Sequence, residues 1–304
     1  MATGSMDAWD ENTGVAAQVG LKYIGRDSDR HLIDSVQYSK SLAGSSRLYQ
    51  MVAHYCLHGE VLKPRQVTQL RCYSAPAKEG SYDTLLVILT ALSSEYPMFA
   101  DVYKSALDWL IAKISGFIKD ALTGQSDMSE LVEVIKSQAA KSGELNTILA
   151  NGLIRANDNI ADLHEKLTET LPQLIEAAHP HLRQTLTPVG RSCSSIVQFP
   201  DTDHSVTYSE PEADAIRSDK DLVVGKPDNF TLLRIHALNI DTGSCRVEIE
   251  GMKGQFSGKI DDITLKQPGN AYSTALNHHS SLRVRARPVT KEQELYRLYI
   301  TEAE

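Results

Sequence analysis

The sequence predicts an α+β protein: an N-terminal β-α-β-β unit packed on a helical layer, then a small C-terminal β-barrel, SH3-like or OB-like. Three observations predict it. Ala16–Gly25 alternates apolar and polar residues around Val19, Leu21 and Tyr23, the period of a half-buried strand. From Pro97 to about Pro188, apolar residues recur at spacings of three and four. Beyond GRSCSS the chain breaks into short β-patterned runs separated by the glycine-bearing turns DTGS, MKGQ and QPGN. The expected domains are 15–188, α/β plus helical, and 189–304, mainly β with the barrel; residues 1–14 read as a tag remnant or disordered tail.

After the first strand, Asp34 is placed to cap a helix, with Gln37 at the capping-box position and Ile33 and Tyr38 as a staple. That helix runs to His58 and stops at Gly59. Gln66–Ser74 and Ser81–Leu89 read as a hairpin turned by APAKEG. Helices follow over Phe99–Leu122 and from Asp127, paired with Glu130, to Lys141. The third helix carries Leu149, Leu153, Ala156, Ile160, Leu163, Leu167, Leu171, Leu174 and Ala178, a narrow coiled-coil-like seam with Pro172 expected to kink or restart it. Strands are expected at Ser194–Phe199, His204–Tyr208, Thr231–Asn239, Cys245–Glu250, Gly254–Leu265, Ser281–Val289 and Glu294–Thr301. A short helix with Pro211 in its first turn and a helical turn at AYSTALNHH complete the C-terminal half.

Composition bounds the function. Hydrophobic residues at 41% supply a core, and 31 Lys+Arg against 39 Asp+Glu leave a net charge of −8, which excludes a global cationic field. Charged residues interrupt the longest apolar stretch, Tyr103–Leu122, so no membrane partner is expected. Four scattered cysteines without a CxxC pair read as reduced thiols of a cytoplasmic protein.

The segment GLKYIGRDSDRHLIDSVQYSKSLAGSSRLYQMV, followed by APAKEGSYD, resembles a group of functionally uncharacterised bacterial proteins. The resemblance implies an N-terminal α/β part, a helical middle and a C-terminal β-barrel. It implies no activity and no cofactor.

Several constellations bear on chemistry. Asp27, Asp29 and His31 would share one side of an extended segment and form a metal-dependent site, or serve as turn formers. His54 and His58 have the helical spacing of zinc ligands, without a glutamate beside the first. No GxSxG, P-loop, GxGxxG or HExxH frame is present, and Cys193, amid small residues, reads as a satisfied or surface thiol. Arg283, Arg285 and Arg287 alternate onto one strand face, preceded by His278 and His279. That face either takes an anionic ligand, a nucleic acid or nucleotide, or pairs with a neighbouring strand carrying Arg246, Glu248 and Glu250. Phage-defence and mobile-element proteins combine modules of this kind, an analogy only. The seam serves an intramolecular helix pair or self-association through Leu149, Leu153, Ala156, Ile160, Leu163 and Leu167. The leading expectation is a non-catalytic interaction and assembly protein contacting itself or another protein.

Overall fold

The computed structural model describes residues 15–63, 66, 70–74, 83–89, 100–121, 127–143, 160–218 and 222–304. The chain divides into two compact units, Met1–Ala121 with Gln125–Ala213, and Leu122–Gly124 with Asp214–Glu304.

The first unit is built on strand β1, Val15–Ile24. It pairs antiparallel with β3, Asp83–Leu89, which in turn pairs with β2, Arg71–Ser74. On its other side it pairs with β4, Ser195–Gln198, and β4 with β5, Val206–Ser209, giving the order β2-β3-β1-β4-β5. Strands β4 and β5 therefore belong to the first sheet. The sequence pattern assigns them to the C-terminal domain because a hairpin carries no local mark of the strand it joins.

Helix α1, Ser35–His58, begins and ends where its caps predict. The Asp34 carboxylate accepts from the Val36 and Gln37 amides at 3.1 and 3.0 Å. Gln37 closes the capping box through a third residue: Ser192 Oγ donates to Gln37 Oε1 at 2.8 Å and accepts from the Asp34 amide at 3.2 Å. Gly59, at φ 67°, supplies the left-handed stop. Helices α2 (Ala100–Ala121), α3 (Met128–Lys141) and α4 (Ile160–Thr185) follow. Pro172 and Pro180 both lie inside α4, which continues through them instead of restarting. Helix α1 packs on α4. Gly44 permits close approach there: a Cβ would sit 2.6 Å from both the His181 carbonyl oxygen and the Thr185 amide nitrogen. Leu48, Val52, Leu110, Ile114, Leu171 and Leu174 are fully buried in this unit.

Four histidines of the first unit are held below their ordinary value. Burial is the leading cause for His54, His179, His181 and His204; His58, whose ring centroid lies 4.4 Å from that of His54, adds to the effect there. Such groups bind protons more tightly unfolded than folded, so the unfolded chain gains on acidification. Stability is expected to be full above about pH 6.5 and to fall below it. Melting temperatures measured from roughly pH 8 to pH 5 check this; a flat or rising series contradicts it.

The second unit is a closed five-stranded barrel. Strands β7 (Asp228–Leu238), β8 (Ser244–Ile249) and β9 (Phe256–Ile260) form an antiparallel meander. Strand β11 (Glu294–Ala303) runs parallel beside β9, and β10 (Leu282–Lys291) closes the barrel between β11 and β7. Helix α6, Ala271–His278, lies between β9 and β10 in sequence and puts Tyr272 and Ala275 into the core with Leu232, Val247 and Leu298. The order 1-2-3-5-4, with strands 3 and 5 parallel and a helix between 3 and 4, is the OB-type arrangement. A short strand β6, Leu222–Val224, absent from the sequence pattern, adds to β10. With Ala215 near the end of helix α5 (Glu210–Arg217), it covers Val289 and Tyr299 on the outside of the barrel.

Candidate anion-binding groove

Alternation around the barrel sorts side chains into core and surface. On β8, Cys245, Val247 and Ile249 are buried, while Ser244 and Arg246 are exposed. On β9, Gly258 and Ile260 turn inward, leaving Ser257 and Lys259 outside. On β11, Leu298 and Ile300 enter the barrel core, so Arg297 and Tyr299 face outward. Register then aligns them. Arg246 stands opposite Ser257, Ser244 opposite Lys259, Lys259 opposite Tyr299, and Tyr299 opposite Arg287.

These rows form the wall of a groove of about 450 Å³ that holds Arg246, Lys259 and Arg297 and no carboxylate in its lining. Ala237, Leu238 and Asn239, at the end of β7, complete one side. Gly258 lies at the groove because its register partner Cys245 fills the space a side chain would take: a Cβ there would lie 2.5 Å from Cys245 Sγ. Burial pushes the Cys245 thiol up to about 12, so it is a packing group and not a nucleophile.

Arg297 is held by two aromatic rings and a carboxylate. Its guanidinium lies 5.9 Å from the ring centroids of both Tyr296 and Tyr299, and Nη1 lies 3.2 Å from Asp214 Oδ2. Burial first, and the Asp214 carboxylate second, push the Tyr299 phenol up, so it stays neutral and donates to Asp214.

The arginines conspicuous in the sequence lie elsewhere on the barrel. Arg283 and Arg285 are exposed on β10, opposite Thr231 and Asn229 of β7. Arg287 is half-buried, with Nε donating to the Gly225 carbonyl at 3.3 Å. Strand β8, with Arg246, Glu248 and Glu250 along it or at its end, does not neighbour β10, because β7 lies between them. Glu248 instead stands opposite Arg234, 3.0 Å from His236 Nε2, and the acidic residue opposite Arg285 is Glu302. His278 and His279 are exposed at the end of α6, and His279 Nδ1 lies 3.3 Å from Arg234 Nη2. None of these five residues lines the groove.

Asp27, Asp29 and His31 do not lie in an extended segment. Residues Arg26–Arg30 form a 3₁₀ turn, in which Asp29 accepts from the Gly25 amide and Asp27 pairs with Arg30. His31 ends the turn in the left-handed region, at φ 58°. Among the described residues, no group of three His, Cys, Asp or Glu side chains is placed to hold a metal ion.

Of the seam, Leu149, Leu153 and Ala156 lie outside the described residues, and Ile160 and Leu163 fall in α4 with side chains outside them. Leu167, Leu171, Leu174 and Ala178 are fully buried within the chain itself. Among the described residues, no helix is long and apolar enough to cross a membrane.

Residues 19–217 match the family described as a domain of unknown function (DUF7946), nearly two thirds of the chain. The chain belongs to that family. Residues 230–304, the barrel, match a second one, described as a family of unknown function (DUF7947). No curated protein and no solved structure matches. In this DUF7946 protein the two matched segments follow the sheet-and-helix unit and the barrel, which makes it a two-domain member. The groove lies wholly within the DUF7947 segment.

Proposed function

We propose that the barrel binds single-stranded nucleic acid by its phosphate backbone along the outer face of β8, β9 and β11. One observation carries this reading: three cations from three strands converge on a groove whose lining has no carboxylate, on the face that OB-type barrels use for oligonucleotides. The barrel as a whole is near neutral, with 11 Lys+Arg against 10 Asp+Glu from Leu222 onward, so the attraction is local. The lining also lacks an aromatic side chain, which points to backbone contact with little preference among bases. Four cysteines outside any disulfide suit the cytoplasm, where such a ligand would be met.

A fluorescent twelve-nucleotide oligothymidylate should bind with a log affinity that falls against log salt with a slope between about −1.4 and −2.1, two to three phosphate contacts. The R246A/K259A variant should lose most of this binding, while R283A/R285A should keep it. Salt-independent binding, or a reversed pattern in the two variants, would remove the reading.

Self-association is a separate reading. Through the seam it would use Leu149 to Leu163, since Leu167 and the seam residues after it are buried within the chain.

A further inference from the structure

Arg297 stands at the edge of the groove with its charge already engaged. Asp214, on α5, is approached by three donors. Arg297 Nη1 is 3.2 Å from Oδ2, the Tyr299 hydroxyl donates to the same oxygen at 2.5 Å, and Arg217 is ion-paired with Oδ1. The Arg297 contact is the longest of the three and uses a single nitrogen. If Arg297 turned away, Asp214 would keep Tyr299 and Arg217, so no carboxylate would be left without a donor. The rings of Tyr296 and Tyr299 would keep the guanidinium at the groove edge while it changed partner.

We propose that Asp214 is a built-in competitor for the groove, its carboxylate engaging Arg297 until a phosphate of the bound strand takes that guanidinium over. This inference rests on the nucleic-acid reading above. It assigns the site an affinity below what its three cations would otherwise supply. It also makes Asp214 the residue that sets the threshold for binding.

The test compares wild type, D214N, R297A and D214N/R297A for anisotropy of the labelled oligothymidylate across a salt series. The amide in D214N would keep an acceptor for Tyr299 and remove the charge. D214N should bind about two- to fivefold more tightly than wild type, the range for one exposed ion pair, with the slope little changed because the same phosphates are contacted in both. In the R297A background the same substitution should change nothing, which separates release of Arg297 from a general loss of negative charge. Unchanged or weaker binding by D214N, or a gain that persists without Arg297, overturns the proposal. Absence of salt-dependent binding by wild type and D214N alike removes the groove reading itself. Should D214N not fold, the Arg297 Nε–H resonance of the wild type serves instead. It should shift on saturation with the oligonucleotide, and a fixed resonance overturns the proposal.

Discussion

Replacing Leu174 by alanine should lower the stability of the first unit by about 2–5 kcal/mol, the range for a fully enclosed leucine whose surroundings relax only in part. Leu174 lies on the α4 face that carries Leu167, Leu171 and Ala178, all fully buried, and α4 packs against α1. The loss should therefore be independent of protein concentration, because the chain itself makes the contact. Thermal melts over a hundredfold concentration range decide this. A seam shared between copies would give a melting temperature that rises with concentration.

The largest backbone effect is expected at Gly243. Its φ is +73°, and a Cβ there would lie 2.1 Å from the Ile260 carbonyl oxygen. Gly243 also accepts from the Ile260 amide at 2.8 Å and donates to the Asn239 carbonyl at 2.8 Å, so neither strand can withdraw without breaking a hydrogen bond. Gly243→Ala should cost about 3 kcal/mol or more, combining the left-handed penalty with the collision. Gly251 makes the control: its φ is +80°, but a Cβ would meet nothing within 4 Å. Gly251→Ala should cost only about 1 kcal/mol. Chemical denaturation of both variants checks the pair, and equal losses would show that the collision is relieved at little cost.

Local chemistry made much of the fold readable. Asp34, Gly59 and Asp127 mark helix ends by side-chain and backbone geometry within a few residues, and all three act where their types predict. Alternation in Cys245–Glu250 and Ser281–Val289 likewise identifies strands and their outward faces. Long-range pairing leaves no such trace. Nothing near Leu21 indicates that it will lie opposite Gln198, and the pattern places β4 and β5 with the barrel for that reason. The run Asp27 to His31 shows the opposite failure. Its alternation suits a strand, but Gly25 at φ +85° and the Asp29–Gly25 hydrogen bond coil it into a 3₁₀ turn.

The groove is hidden for the same reason as the sheet. Arg283, Arg285 and Arg287 are conspicuous because they are close in sequence, whereas Arg246, Lys259 and Arg297 become neighbours only through the register of three strands. Alternation already turns Arg246 and Lys259 outward, so the signal exists in part. The parallel pairing of β9 with β11, which brings Arg297 alongside, leaves no mark in either strand alone.

Strand β1 is synthesised well before its second neighbour, β4, which it receives only after residue 195 has emerged. Ser192, which ties Asp34 to Gln37 at the start of α1, arrives equally late. A nascent chain stalled before that point presents one side of its central strand unsatisfied, a template for the wrong hydrogen-bonding partner. Non-local closure of this kind slows folding, so the central strand stays open on that side until the hairpin of β4 and β5 is available.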